Sequence, residues 1–371
     1  MDKKINGYYR GDIDGLRAIA VLAVIVFHFG FFPNGYLGVD VFFVISGYLI
    51  TTIVYRESKE NKFSVSNFYI RRIRRIIPLV VVILAVSLVI GVMVMLPDDL
   101  ENLAHSVIAT NFFGNNILQL ITTRDYWNIV NEYKPLMHTW SLGVEEQFYF
   151  IYPILFFILG NSKRIKYVLP VLILLSLSSL LLFFFYTDAN AKFYLIQYRF
   201  WELSLGGIGA ILTVNKNING KYKIIFLISL VSMFFIETSN DLKILFTVLA
   251  TLGLLLASNK KQDKLSYFIL ENRVMVFIGK ISFSLYMWHQ VVLAFYRYIF
   301  SDLITIEVFV LLSIIILILS ILSYYFIEEV FRDKKRISLK LLLIIVVSLS
   351  LLTTLFSLYI YINAGVIRDV P

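Results

Sequence analysis

The chain has 371 residues, of which 59% are hydrophobic and 16% are charged, and its formal net charge is +9. Soluble domains are about 45–50% apolar, whereas here apolar runs of membrane-spanning length recur along the whole sequence, which excludes a soluble domain with a single anchor. The absence of cysteine excludes a disulfide framework, a thiolate metal site and a cysteine nucleophile.

The chain is predicted to begin with an uncleaved membrane helix. Its start is basic, with Lys3 and Lys4, but its apolar stretch is longer than a typical signal core and no small-residue cleavage site follows. Further apolar windows follow to the end of the chain. The sequence therefore predicts an all-α fold, a polytopic transmembrane helical bundle of about 11 spans, at residues 15–32, 36–55, 77–96, 140–159, 167–186, 198–214, 222–236, 243–258, 274–299, 303–326 and 339–362.

The distribution of basic residues predicts the orientation of these spans. With the N-terminus in the cytoplasm, most of the 34 Lys and Arg lie in cytoplasmic segments, above all between Arg56 and Arg75 and from Arg332 to Lys340. The positive-inside rule then places the C-terminus on the outer face. The net charge therefore reflects membrane insertion and does not indicate nucleic-acid binding. Residues 97–139 become the one long outer loop, with a short helix at the membrane interface.

Two ionisable side chains, Arg17 and His28, lie in the first predicted span. They are eleven residues apart, about three helical turns, so they share one face and are separated by roughly 16 Å along the axis. Ionisable groups in a span usually face the bundle interior or a wet cavity. A ligand touching both is long and thin, anionic at one end and reactive at the other. The alternative is a snorkelling arginine and a histidine that makes one interhelical hydrogen bond.

Asp40 opens the second predicted span, near the outer surface and on a helix adjacent to His28. A carboxylate beside an imidazole fixes its tautomer and raises its basicity. The alternative role for Asp40 is a helix N-terminal cap favoured by the helix dipole.

A basic motif, FYIRRIRRIIP, precedes the third predicted span and contains Arg71, Arg72, Arg74 and Arg75. Arginine offers planar, bidentate donors suited to phosphate. Cytoplasmic loops are basic in any case and contact anionic lipid headgroups. The excess of arginine over lysine favours a phosphate ligand at a cytoplasmic rim.

Glu145 and Glu146 lie one to two turns inside the outer end of the fourth predicted span. Adjacent residues of a helix point about 100° apart, so at most one of the two carboxylates faces a central cavity. Glu145 shares its face with Tyr149, four residues on. A purely structural role for both carboxylates is the alternative.

Three further polar side chains are assigned supporting roles. Arg199 and Glu202 are spaced to pair within the sixth span, or to position Glu145. His289, in the ninth span, is either a packing residue or a second catalytic group.

Two function classes fit this path of polar groups across a membrane. One is an enzyme that takes an activated group from a cytoplasmic donor and delivers it to an outer acceptor. The other is a proton-coupled secondary transporter of an anionic or acyl substrate. Transporters often have Gly- or Pro-broken helices at corresponding positions of two halves. The sequence has no such pairing, which favours the enzyme.

Five ordered motifs carry a resemblance that spans nearly the whole chain: DGLRAIAVLAVIVFHF, GYLGVDVFFVISGYLIT, FYIRRIRRIIP, TWSLGVEEQFYFIYP and ISFSLYMWH. They resemble the membrane acyltransferase-3 family, which includes O-antigen and peptidoglycan O-acetyltransferases of the bacterial envelope. The resemblance implies acetyl-CoA as donor, a hydroxyl of an envelope polysaccharide as acceptor, and a multi-pass location in the bacterial cytoplasmic membrane.

The resemblance also implies site residues. Arg17 and His28 match the essential pair of the family, and Arg71, Arg72 and Arg75 match its basic motif. Glu145 and Glu146 match its acidic motif and are assigned, with His28 and Asp40, to the catalytic group. We expect the arginines to hold the phosphates of CoA, and His28 to act as general base or transient acyl acceptor with Asp40 or Glu145 orienting it. No metal is expected.

One departure concerns the end of the chain. Many relatives continue into an outer hydrolase-like domain of the SGNH type, whereas this sequence stops after NAGVIRDVP. Residues 1–371 are expected to be a single transmembrane acyltransferase domain, with 364–371 as the start of a linker in a longer protein; a short natural form is the alternative. In the outer loop, Tyr126, Trp127 and Tyr133 are candidates to stack on sugar rings, or to anchor the interface.

Overall fold

A computed structural model of the chain describes residues 4–5, 8–123, 130–160, 164–213, 219–257, 264–300 and 303–365. Helices dominate these residues, as predicted, and a pair of two-residue strands, β1 (Lys4–Ile5) and β2 (Tyr8–Tyr9), pairs antiparallel before the first helix. The α-helices are α1 (Gly11–His28), α2 (Gly38–Lys59), α3 (Val65–Val94), α4 (Pro97–Asn111), α5 (Asn115–Thr123), α6 (Thr139–Leu159), α7 (Val168–Phe185), α8 (Ala189–Tyr194), α9 (Ile196–Thr213), α10 (Lys223–Met233), α11 (Asn240–Leu256), α12 (Lys264–Leu270), α13 (Arg273–Lys280), α14 (Ser282–Ile299), α15 (Ile306–Ser323), α16 (Glu329–Arg332) and α17 (Leu339–Ile362). Short 3₁₀ turns occupy Gly35–Leu37, Val130–Tyr133, Ile165–Tyr167 and Gly220–Tyr222, and a π-helical turn occupies Tyr324–Glu328.

Every predicted span overlaps a helix, but the helices differ in length and polarity. In the described part of the chain, six are long and apolar enough to cross a membrane, and α13 with α14, bent by 67°, forms a seventh candidate. α10 has 11 residues and is about 16 Å long, half the thickness of a hydrocarbon core. The prediction of a multi-pass helical membrane protein is thus confirmed, whereas the count of eleven spans and the orientation of the termini stay predictions.

Helix α3 begins twelve residues before the predicted span, at Val65, and contains Pro78 in its interior. Membrane helices tolerate proline because neighbouring groups satisfy the freed backbone. Its 30 residues make it about 45 Å long, longer than the roughly 30 Å hydrocarbon core. The basic motif therefore lies on the first turns of this helix rather than in a loop.

The segment after α3 contains two helices instead of the single interfacial helix that was predicted. α4 ends at Asn111, where Phe113 takes a left-handed φ of 55° and the Gly114 N–H donates to the Ala109 carbonyl at 2.7 Å. This left-handed termination redirects the chain into α5.

The chain divides into two compact units. The first unit contains residues 1–65 and 148–282, and the second contains residues 66–147 and 283–371. In the first unit, α2 and α9 pack with their backbones in contact at two glycines: a Cβ on Gly47 would lie 1.7 Å from the Leu203 carbonyl oxygen, and one on Gly206 would lie 2.0 Å from that of Val44. Small residues allow such close approach of membrane helices.

Replacing Gly47 with alanine is expected to force α2 away from α9 and to destabilise the protein by about 1–3 kcal/mol. The change is measured as a lower midpoint of thermal unfolding in detergent. Gly114→Ala is the matched control, because a Cβ there meets only the Ala109 carbonyl oxygen at 3.8 Å. Equal midpoints for the two variants would contradict the close packing of α2 and α9.

Candidate active site

The structure places Arg17 and His28 on the same helix, α1. Arg17 is buried, and its Nη1 lies 3.8 Å from Oδ1 of Asp14, whereas the Oδ2 of the same carboxylate accepts a hydrogen bond from the Tyr9 hydroxyl. His28 is the last residue of α1, is half-buried, and has its ring edge-on to Phe27 with 5.2 Å between centroids. One end of the pair is therefore tied to a carboxylate, and the other is an imidazole at a helix terminus.

Close backbone contacts hold α1 on two sides. A Cβ on Gly15 would lie 1.9 Å from the Leu270 carbonyl oxygen of α12, and one on Gly38 of α2 would lie 2.3 Å from the Ala20 carbonyl oxygen. Neither glycine can be enlarged without moving a helix. The helix that carries Arg17 and His28 is consequently held rigidly within the first unit.

A buried ion cluster at the start of α1 was not anticipated from the sequence. Arg10 donates two hydrogen bonds of 2.8 Å to Asp12, and the Lys223 Nζ donates to the same carboxylate at 2.6 Å. Burial alone would raise the pKa of the Asp12 carboxyl, but Arg10 and Lys223 beside it hold that pKa below its ordinary value. The available signal was Lys223 itself, a charged residue at the second position of the predicted span 222–236.

Asp40, Arg199 and Glu202 form a second buried ion cluster, between α2 and α9. The Arg199 Nη1 lies 2.5 Å from Oδ1 of Asp40 and 2.8 Å from Oε1 of Glu202, and all three side chains are almost fully buried. The predicted pairing of Arg199 with Glu202 is present, and Asp40 joins it. These contacts account for the burial of Asp40, whereas its predicted role in orienting His28 stays a prediction.

The basic motif of α3 divides into two kinds of arginine. Arg74 is buried and donates to the carbonyl oxygens of Phe331 and Ile337 at 3.0 and 2.9 Å, so it holds the chain after the π-helical turn. Arg71, Arg72 and Arg75 are half-buried, and the Arg72 guanidinium lies 5.9 Å from the Phe68 ring centroid. The three arginines assigned to phosphate binding therefore differ from Arg74 in that part of each side chain stays exposed.

The acidic motif of α6 lies within electrostatic reach of this basic motif. The Glu146 carboxylate interacts electrostatically with Glu145 and with Arg72. It also interacts electrostatically with the Tyr69 hydroxyl of α3. The Oε1 atom of Glu146 is buried and has no hydrogen-bond partner among the described residues. The sequence predicted these two motifs towards opposite faces of the membrane, whereas in the structure the charges of Arg72 and Glu146 interact within the second unit. A buried carboxylate oxygen without a partner favours a ligand that supplies a donor.

His289 belongs to a buried polar cluster that includes a second histidine, His138, which sequence reasoning missed. The two imidazole centroids are 5.4 Å apart, and the Nδ1 of His289 lies 2.5 Å from the Tyr286 carbonyl oxygen. The Tyr286 hydroxyl contacts the Ser141 Oγ at 2.7 Å and donates to the His138 carbonyl at 2.9 Å. Since a carbonyl only accepts, His289 carries its hydrogen on Nδ1. This bonding fits the packing role that was weighed for His289.

The remaining sequence-derived candidates are Tyr149, Tyr133, Tyr126 and Trp127. Tyr149 is buried on α6, four residues after Glu145, and its ring is edge-on to Phe148. Tyr133 is half-buried at the end of a 3₁₀ turn, whereas Tyr126 and Trp127 lie outside the described residues. Among the residues that the structure describes, no group of three or more His, Asp or Glu is arranged to hold a metal ion.

Comparison with known proteins gives a family and a set of relatives. The acyltransferase domain that defines the acyltransferase-3 family matches residues 10–325. A Staphylococcus aureus MSSA476 protein provisionally named as an O-acetyltransferase is 33% identical over 354 residues, which cover 88% of this chain and 58% of the relative. The O-acetyltransferase OatA of S. aureus NCTC 8325 is 31% identical over 358 residues, 90% of this chain and 59% of OatA.

The chain thus spans about three fifths of the length of the curated relatives that it matches. No solved structure matches it. The resemblance drawn from the five motifs is confirmed by the family match, and so is the predicted enzyme class, an acyltransferase. With residues 10–325 matched, the chain belongs to the acyltransferase-3 family.

Proposed function

We propose that the protein moves an acetyl group from cytoplasmic acetyl-CoA across the bacterial cytoplasmic membrane to a hydroxyl of a cell-envelope polysaccharide. O-antigen, peptidoglycan and exopolysaccharide are the acceptor classes, and a fused or separate outer domain of the SGNH type is an intermediate acceptor. The family match and the O-acetyltransferase names of the relatives support this reaction.

The observation that carries the proposal is the placement of Arg17 and His28 on one helix. Eleven residues separate them, so their side chains project within about 20° of each other and roughly 16 Å apart along α1. CoA has phosphates at one end and a thioester at the end of a slender arm. A cationic group and an imidazole at this spacing match the two ends of such an arm.

The chemistry assigned to His28 is proton transfer at the acceptor. Its neutral imidazole nitrogen takes the proton of the hydroxyl, whose oxygen attacks the thioester carbonyl carbon. The carbon–sulfur bond breaks as the ester bond forms, and the leaving thiolate receives the proton from the imidazolium. The alternative order has His28 take the acetyl group first and pass it to the hydroxyl, with the same net products.

The donor half-site is assigned to α3 and α6. Arg71, Arg72 and Arg75 supply charge-assisted hydrogen bonds to phosphate. Glu146, whose buried Oε1 has no hydrogen-bond partner among the described residues, accepts a hydrogen bond from an amide N–H of the arm. The interaction of Glu146 with the charge of Arg72 supports placing both at the donor rather than Glu146 at the acceptor.

Replacing Arg72 with alanine is expected to raise the Kd for CoA tenfold or more, because a hydrogen bond to a charged group contributes about 1.5–3 kcal/mol. Isothermal titration of CoA into the detergent-solubilised protein measures this change. The matched control is Arg336→Ala, which removes the same charge from a side chain that is 63% exposed. Equal Kd values for the two variants would indicate that the basic motif serves membrane topology instead.

A proton-coupled transporter of an anionic or acyl substrate is the second candidate. The break between α13 and α14, with a bend of 67°, is the observation that favours it, because transporters bind substrates at discontinuous helices. The two functions are separated by the fate of the acyl group: a transporter moves it without forming an ester.

A further inference from the structure

An apolar groove in the first unit, hereafter the α10 groove, lies between α1, α10 and α12. It has a volume of about 370 Å³ and is open on one side. This volume lies within the range of roughly 300–1,000 Å³ that ligand pockets occupy. Ile19 of α1 and Ile269 of α12 form two of its walls, and α10 forms the third.

One face of α10 lines the groove along most of the helix. Its lining side chains recur at intervals of three and four residues, as one helix face requires, and they are Ile224, Leu227, Ile228, Val231 and Ser232. The first and the last are eight residues apart, so this face is about 12 Å long. One leaflet contributes about 15 Å to a hydrocarbon core. The groove therefore has the length of an acyl chain in a single leaflet.

Fixed contacts hold the walls of the α10 groove in place. The Lys223 Nζ, at the start of α10, donates to the Asp12 carboxylate of α1 at 2.6 Å. Gly15 of α1 packs so closely on α12 that a Cβ there would lie 1.9 Å from the Leu270 carbonyl oxygen. Both neighbouring helices are thereby tied to α1, so the groove is preformed.

The chemistry of the lining selects a hydrocarbon chain. Ser232 is the one polar side chain that the structure describes in this lining, and its hydroxyl already donates to the Ser229 carbonyl oxygen at 2.9 Å. A polar ligand would lose hydrogen bonds to water without gaining equivalent ones in the groove. An acyl chain has no such bonds to lose.

The two ends of α10 differ in charge. Lys221 is exposed, one turn before Ile224, and none of the described side chains caps the N-terminus of α10. A helix N-terminus carries a partial positive charge, to which the lysine adds a full one. The segment after α10 instead contains the exposed Glu237. A phosphate is therefore favoured at the start of α10 and disfavoured beyond its end.

We infer that the α10 groove binds one acyl chain of an anionic membrane phospholipid, whose headgroup phosphate lies beside Lys221 and the N-terminus of α10. The lipid fills the space between α1, α10 and α12 and so stabilises the helix that carries Arg17 and His28. This site goes beyond the proposed function, because the bound lipid takes no part in acyl transfer.

Native mass spectrometry of the full chain tests the inference. The protein is released from detergent with equal amounts of phosphatidylglycerol and phosphatidylcholine that carry identical acyl chains. The wild type is expected to retain one phosphatidylglycerol, and Ile228→Trp, which fills the groove, is expected to lose it. Ile225→Trp is the matched control, because Ile225 is 58% exposed on the same helix, against 62% for Ile228, but does not line the groove.

A second variant tests the charged end and does not depend on the folding of Ile228→Trp. Lys221→Gln is expected to lower the preference for phosphatidylglycerol over phosphatidylcholine about fivefold, because one lysine near anionic lipid contributes about 1 kcal/mol. Lys166→Gln removes the same charge from another exposed position of the first unit and is expected to keep the wild-type preference.

Three results would overturn the inference. They are equal lipid retention by Ile228→Trp and Ile225→Trp, a wild type that retains the two lipids equally, and a wild-type dimer that Ile228→Trp separates. The last would make the groove an interface between two copies of the chain. Acetyl transfer is not measured in any of these experiments, so the inference and the proposed function fail or hold separately.

Discussion

Replacing His28 with alanine is expected to lower acetyl transfer by about 10²–10⁴-fold, the typical contribution of a general acid–base group. Transfer is lost because His28 is the group assigned to take the proton of the acceptor hydroxyl. His28 is half-buried at the end of α1, so the variant is expected to fold. Ester formation on the acceptor polysaccharide is the measurement, with protein amount and thermal unfolding checked in parallel.

His105→Ala is the matched control for this prediction. His105 lies on α4, with its ring 4.8 Å from that of Tyr361, and it has no part in the assigned chemistry. Its loss is expected to leave transfer near the wild-type rate. Normal transfer by a well-folded His28→Ala variant would remove the core of the proposed mechanism.

The two roles of His28 differ in what accumulates without acceptor. If His28 carries the acetyl group, rapid denaturation after mixing with acetyl-CoA yields a peptide containing His28 with the mass of one added acetyl group. If His28 is only a general base, the peptide stays unmodified while CoA thiol release waits for the acceptor.

Replacing Arg199 with leucine is expected to destabilise the protein by about 3–5 kcal/mol, the cost of leaving a buried charge without its partner. Arg199 is 1% exposed and bridges Asp40 of α2 and Glu202 of α9. Without it, two carboxylates remain buried beside each other. The midpoint of thermal unfolding in detergent is therefore expected to fall sharply.

A charge-neutral triple variant tests whether the cause is electrostatic. Combining Arg199→Leu with Asp40→Asn and Glu202→Gln removes every charge of the cluster, and such replacements are often neutral or stabilising. The triple variant is expected to unfold at a higher temperature than Arg199→Leu alone. A triple variant as unstable as the single one would mean that the arginine acts through packing.

The parts of the fold that follow from local pattern were predictable from the sequence. Apolar windows of membrane-spanning length gave the positions of helices such as α6 and α17, because hydropathy depends on neighbouring residues alone. The common helix of Arg17 and His28 follows in the same way from helical periodicity. The start of α3 was misplaced because an apolar window excludes the arginines of the basic motif, whereas the helix continues through them back to Val65.

The contacts between distant parts of the chain were not predictable. Asp40 and Arg199 are 159 residues apart in sequence, and the charge of Glu146 interacts with that of Arg72 on another helix. Hydropathy and spacing indicate which side chains are buried, but they do not indicate which helices are neighbours. The same holds for His138 and His289, which are brought together only by the packing of the second unit.

A labelled acetyl group followed across a sealed membrane shows whether acetyl transfer and membrane crossing are coupled in this protein. The natural gene product is placed in vesicles in one orientation, with labelled acetyl-CoA on the face of the basic motif and acceptor polysaccharide in the opposite compartment. We expect an alkali-labile acetyl ester on that polysaccharide, with one CoA thiol released for each ester. Label that crosses without forming an ester, or an ester formed only on the donor side, would contradict this expectation.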